Sequence, residues 1–147
     1  VWRAIQRAVF TDRAMGAPAR WIARQAASGA PAWLYHFSYV GNRFRPFTDR
    51  AAHAAEIQYV FQYWGRRTPM SVVSDEDRAM AALMNGCWAT FAKTGRPDCP
   101  GGQAWPAYSR TADTLLEFGR DTGLRTGFQS GRLDFQEGRT LPGLGLR

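Results

Sequence analysis

The sequence predicts an α/β chain, with strands of a mixed sheet and helices packed on them, and three observations carry that prediction. Trp33-Leu34-Tyr35-His36-Phe37-Ser38-Tyr39-Val40 is an apolar, aromatic-dense run between Pro31 and Gly41. It is too short for a typical helix and has the composition of a strand buried on both faces. Met80, Leu83, Met84, Cys87, Trp88 and Phe91 recur at three- and four-residue steps, which lays one wide apolar stripe along a helix. Leu115-Leu116-Glu117-Phe118 is a second short apolar run, ended by Gly119.

Taken in order, Val1, Ile5, Ala8 and Val9 stand at helical spacing, so residues 1–10 are expected to be helical. Thr11-Asp12 offers a cap for a short turn through Met15, which Gly16 breaks. Pro18 suits a first helical position, and the next helix is expected through Trp21-Ile22-Ala23 and Ala26-Ala27 to Gly29. Arg13, Arg20 and Arg24 fall on its polar side and are read as a solvated face. After the strand 33–40, the segment Gly41 to Ala52 is a polar loop holding Arg43, Arg45, Pro46, Asp49 and Arg50. A short helix over Glu56 to Gln62 follows, then an exposed connection from Gly65 to Pro69.

Ser74 and Asp77 have the spacing of a capping box and start the long helix. Gly95 supplies its left-handed end and Pro97 stands just beyond. Trp105-Pro106-Ala107-Tyr108 is read as an aromatic anchor on the surface. Beyond Arg120, Phe128, Leu133 and Phe135 are residues that could dock, and residues 139–147, punctuated by Pro and Gly, are expected to form a loose tail. The 147 residues suffice for one domain with a core.

Composition excludes more than it assigns. The formal charge is +7, yet the arginines are spread along the chain with no basic run longer than Arg66-Arg67, so a nucleic-acid surface is the weaker reading. No apolar run approaches the ~20 residues of a membrane span, and no signal-peptide pattern opens the chain. Cys87 and Cys99 are too few for a disulfide framework and suit neither zinc nor a CxxC pair. Cys87, on the apolar stripe, is read as a buried free thiol.

The stretch Ala51-Ala52-His53-Ala54-Ala55-Glu56-Ile57-Gln58-Tyr59-Val60-Phe61 places a histidine behind the arginine-bearing loop, with a carboxylate three residues on. A strand followed by a loop that presents a histidine is the order found where a sheet's C-terminal edge builds a site. His53-x-x-Glu56 could begin a metal pair, but the only other histidine, His36, lies inside the strand, where a hydrogen-bonded core histidine is the reading. No metal and no cofactor are expected.

This stretch resembles the histidine segment of the type-B carboxylesterase/cholinesterase family of α/β-hydrolases: small residue, His, two small residues, Glu, aliphatic, then Tyr-Val-Phe. Other segments match the family in order. They are Thr11-Asp12-Arg13 with Pro18-Ala19, Tyr35-His36-Phe37-Ser38-Tyr39, Trp88 to Pro97 (Trp-x-x-Phe-Ala-Lys-Thr-Gly-x-Pro), Trp105-Pro106-Ala107-Tyr108, Leu115 to Phe118, and Arg132-Leu133-Asp134-Phe135.

The resemblance implies that residues 1–147 are the C-terminal part of a single type-B carboxylesterase domain with the α/β-hydrolase fold, incomplete without an N-terminal part; Val1 in place of Met accords with this. It implies that His53 is the base of a Ser-His-Glu/Asp triad acting on a small-molecule carboxylic ester. Glu56 either supports the histidine loop by a hydrogen bond or favours the helix N-terminus, and a supporting role is the reading taken. The family's Gly-x-Ser-x-Gly elbow and His-Gly-Gly oxyanion loop do not occur here, and Ser130 in Phe128-Gln129-Ser130-Gly131 lacks the spacing. Asp12 is read as a cap and Asp49 as part of the loop, so nucleophile and acid are expected in the N-terminal part. The alternatives are a non-catalytic, cholinesterase-like interaction domain and, behind it, a basic nucleic-acid-binding domain.

Overall fold

A computed structural model describes residues 2–26 and 28–145. Val1 and Ala27, both expected in helices, and Leu146 and Arg147 of the expected tail lie outside the described residues. The chain forms two compact units, interleaved in sequence: one of residues up to Leu34, Pro106–Leu115 and Arg125 onward, the other of Tyr35–Trp105 and Leu116–Leu124.

In the first unit, helix α1 (Trp2–Thr11) runs into a π-helical turn over Asp12–Gly16 and on into α2 (Ala17–Ala26). The expected break at Gly16 does not occur. A Cβ there would stand 2.9 Å from the Leu133 side chain, so the glycine serves close packing against α5 (Ser130–Thr140) rather than chain reversal. Asp12, read as a cap, starts no new helix, since α1, the π-helical turn and α2 run on without a break. It is buried and receives a forked pair from Arg132, at 2.7 and 2.8 Å.

The solvated arginine face also needs correction. Arg13 is exposed, but Arg20 is 2% exposed and Arg24 is half-buried. Arg20 donates to Glu137 (2.8 Å), Asp113 (3.4 Å) and Asp134, and Arg24 to the other Glu137 oxygen (2.5 Å). A guanidinium can leave water when carboxylates fork onto it, and here they arrive from far along the chain. Tyr108, expected on the surface, is buried as well; its hydroxyl donates to Asp113 (2.7 Å) and its amide to Ala32 O (2.7 Å). Helix α5 was not expected. It runs through Thr140, into the segment read as loose, and a 3₁₀ turn follows at Pro142–Leu144.

In the second unit, β1 (Tyr35–Phe37) pairs in parallel with residues 116–118 of β2 (Thr114–Phe118), Tyr35 opposite Leu116 and Phe37 opposite Phe118. A third strand, β3 (Gly123–Thr126), lies beside β2, giving the order β1-β2-β3 among the described residues. The expected strand over 33–40 is therefore shorter, and it is not buried on both faces. Tyr35 is 37% exposed and His36 and Phe37 are half-buried.

Helix α4 (Asp75–Thr94) is the element the sequence specified most fully. Its capping box is formed, with Ser74 accepting from the Asp77 amide and Asp77 from the Ser74 amide, and Gly95 closes it at φ +74°. Met80, Met84 and Cys87 are buried against Tyr39, Tyr59, Leu116 and Phe118, with Leu83 and Trp88 packed beside them; Phe91, at the end of the stripe, is exposed. Each such buried side chain contributes about 1.5–3 kcal/mol. Trp105, also expected on the surface, packs edge-on to Phe118 (5.5 Å) and against Trp88 (5.1 Å).

Cys87 is buried as expected, but it is not a free thiol: it forms a disulfide with Cys99. The chain returns onto α4 because the Asp98 amide donates to the Thr90 hydroxyl (3.0 Å) and Pro100 seats against Gly86. A Cβ at Gly86 would lie 2.3 Å from the Pro100 ring, which explains a glycine inside a helix that otherwise favours larger residues.

Candidate functional site

The polar loop after β1 opens at Gly41 and makes a 3₁₀ turn at Asn42–Phe44. Arg45 folds back across it. Its Nε donates to the Val40 carbonyl (3.0 Å), its guanidinium forks onto Glu76 on α4 (2.5 and 2.8 Å), and it lies over the Tyr39 ring. The hydrogen bond from Arg45 is the main cause that holds the Glu76 carboxyl below its usual range. Further along, the Arg50 amide donates to the Thr48 hydroxyl (3.1 Å), closing a small polar turn.

His53 follows in a tight turn in which the Ala55 amide donates to Ala52 O (3.1 Å). Ala54 stands at φ +62°, in the left-handed region where a residue with a Cβ costs on the order of 1–3 kcal/mol. Helix α3 (Ile57–Val60), shorter than the helix expected over Glu56 to Gln62, starts four residues later. The His53 side chain is exposed. A cavity of about 520 Å³ is lined by the neighbouring Ala51, Ala52, Ala54 and Ala55 together with Tyr39, Tyr59 and Trp64; His53 is not among its lining residues. Its volume falls within the range of small-molecule pockets.

Glu56 is half-buried and precedes α3 in helical conformation without a side-chain cap. Burial raises the Tyr35 phenol above its ordinary value, and the Glu56 charge adds to that rise. His36 is apart from this turn. It stands opposite Glu117 in the β1–β2 register, and burial lowers its imidazole below the ordinary value, partly opposed by the Glu117 charge. Among the described residues there is no group of three or more His, Cys, Asp or Glu able to hold a metal ion, and no helix is long and apolar enough to cross a membrane.

Asp77 escaped the sequence reading as anything but a cap. It is 3% exposed, and its two oxygens divide their partners. Oδ2 accepts from the Ser74 amide (3.1 Å) and hydroxyl (2.8 Å). Oδ1 accepts from the Tyr39 hydroxyl (3.0 Å), the Asn42 amide (3.2 Å) and the Tyr59 hydroxyl (3.3 Å). Burial pushes Asp77 upward, but these hydrogen bonds outweigh it and hold the carboxyl below its usual value. The cap was legible in Ser74-x-x-Asp77; the other three donors come from segments that no local pattern links to it.

The model of the carboxylesterase family matches residues 2–136. The para-nitrobenzyl esterase of Bacillus subtilis (strain 168) is 32% identical over 111 residues, 74% of this chain and 22% of that protein. Carboxylesterase 5A of Homo sapiens is 31% identical over 115 residues, 74% of this chain and 20% of that protein. A solved PNB esterase superposes with a TM-score of 0.74 at 25% identity, over 87% of this chain and 26% of its own. The chain thus spans about a fifth of the length of the curated relatives it matches.

Proposed function

The chain belongs to the carboxylesterase family, as part of an α/β-hydrolase fold, and from that premise we propose that it is the histidine-bearing part of a serine carboxylesterase. His53 is the general base and acid of the triad; the serine, the triad acid and the oxyanion donors come from outside these residues. The reading is supported by one observation above the others: the imidazole stands exposed on a strained turn, Ala54 at φ +62°, between the sheet's edge and α3. Strain of this kind persists where surrounding structure holds it, and it clusters at sites of function.

In this role the unprotonated imidazole nitrogen takes the serine proton as the hydroxyl attacks the ester carbonyl. The imidazolium then returns that proton to the leaving alcohol, and the same cycle with water releases the acid. Imidazole is the side chain suited to passing a proton in both directions near neutral pH. Glu56 supports the turn without entering the proton path, and the substrate is a small-molecule carboxylic ester.

The test is a set of variants in the full-length protein, assayed on nitrophenyl acetate and corrected for folded fraction. His53→Ala is expected to lower kcat/KM by 10²–10⁴ or more. Glu56→Gln, which keeps a hydrogen-bonding oxygen, is expected to cost roughly ten- to a hundredfold, and His36→Gln to lower stability with turnover nearly intact. A His53→Ala enzyme retaining more than about a tenth of kcat/KM would have lost under ~1.4 kcal/mol of barrier stabilisation, and the assignment would fall.

A further inference from the structure

We propose that Asp77 is a positioning residue for His53, its buried carboxylate clamping together the two ends of the loop that carries the histidine. The proposal rests on the reading of His53 as the base. The loop leaves the sheet at Tyr39 and Asn42 and re-enters the core at Tyr59 on α3; its middle is exposed and the histidine rides on it. All three anchoring donors converge on one atom, Asp77 Oδ1, at 3.0, 3.2 and 3.3 Å. The other oxygen is occupied by Ser74 at the start of α4. One carboxylate therefore ties loop entry and loop exit to the first turn of the longest helix.

Gly41 shows how closely the clamp is drawn. Its φ is −55°, open to any residue, so its need for glycine is spatial. A Cβ there would stand 2.7 Å from the Tyr59 hydroxyl and 3.3 Å from Asp77 Oδ1. Two neighbouring interactions add to the tie without replacing it: Arg45 holds the loop to Glu76 at the surface, and the Tyr39 and Tyr59 rings meet edge to face at 5.3 Å. A buried carboxylate with several charge-assisted hydrogen bonds is a stiff joint, because any opening leaves a charge or hydroxyls unsatisfied in the core. Stiffness at that joint matters because a misplacement of about 1 Å at a reacting group can cost 10²-fold in rate.

The two oxygens allow the clamp to be tested apart from the cap. In the full-length protein, Tyr39→Phe/Tyr59→Phe removes two donors to Oδ1 and leaves the capping box, whereas Ser74→Ala weakens the cap and leaves Oδ1. The double variant is expected to lose roughly ten- to a hundredfold in kcat on nitrophenyl acetate, with KM within about twofold. Hydrogen exchange at Asn42 and Ala55 should quicken at least about tenfold, beyond any change in the interior of α4. Gly41→Ala, which wedges the same joint from the other side, is expected to act in the same direction. Ser74→Ala should lower the denaturation midpoint and leave kcat per folded molecule within about twofold.

A double variant with wild-type kcat and wild-type exchange, measured where His53→Ala is inactive, overturns the clamp and leaves the base intact. An active His53→Ala enzyme overturns the base and, with it, the catalytic purpose of Asp77. Should the double variant fail to fold, Tyr59→Phe alone and Gly41→Ala decide the question by the same two readouts.

Discussion

Withdrawing a guanidinium from water costs several kcal/mol unless its charge is met, and Arg20 is met by Glu137, Asp113 and Asp134. Arg20→Ala would leave Glu137 buried beside Arg24 alone and is expected to cost about 3–5 kcal/mol, read from urea denaturation. Arg20→Lys should recover only part of it, since an ammonium cannot fork onto two carboxylates. Nothing near Arg20 in sequence announces this: its partners are all acids beyond residue 112, so its side of the helix reads as solvated. Asp77 divides the same way, with a legible local cap and an illegible set of distant phenols.

Those phenols give a pH prediction. Burial chiefly, together with Asp77, raises Tyr39 and Tyr59 well above the ordinary tyrosine value, while Asp77 is depressed. Raised groups stabilise fully below their unfolded value of about 10 and lose that contribution above it; the depressed carboxylate stabilises above about 3.9 and loses its contribution as pH falls. The groups facing Asp77 are Tyr39, Tyr59 and, nearby, Glu76 with Arg45. Denaturation midpoints should therefore decline on both sides of this window, and Tyr39→Phe/Tyr59→Phe should flatten the alkaline decline.

Elements were legible in proportion to how local their causes are. Helix α4 carries its own start, stripe and stop, so its course could be read from the chain alone. The length of β1 depends on how many strands pair with it, which no single segment states. Helix α5 was missed because its buried positions, Leu133, Gln136 and Glu137, are mostly polar, and an apolar stripe is what periodicity detects. The disulfide was missed because two cysteines at a separation of 12 carry no pairing rule of their own; the return of the chain onto α4 supplies it. For a closed loop of this size a crosslink contributes about 3 kcal/mol. Reduction, or Cys99→Ser, is expected to lower stability by about that amount, and thiol titration of the unreduced, unfolded protein should find neither Cys87 nor Cys99 free.

For the chain as a whole, the site residues proposed above are a base and its supports. Residues 1–147 carry no Gly-x-Ser-x-Gly elbow, so on their own they are expected to turn over nitrophenyl acetate no faster than free imidazole at equal concentration. Saturable turnover that a serine-directed fluorophosphonate abolishes would contradict this. The charge pairs of the first unit carry one more consequence, which concerns time. Arg20 and Glu137 are 117 residues apart, and Asp12 and Arg132 are 120 apart. A ribosome needs on the order of ten seconds to cover that distance. Throughout that interval α2 has emerged without its counter-charges, exposed to chaperones and to wrong partners. Premature termination after α4 would release a helix whose central arginine has nothing to bind. Helix α2 leaves the ribosome long before its ion pairs can close.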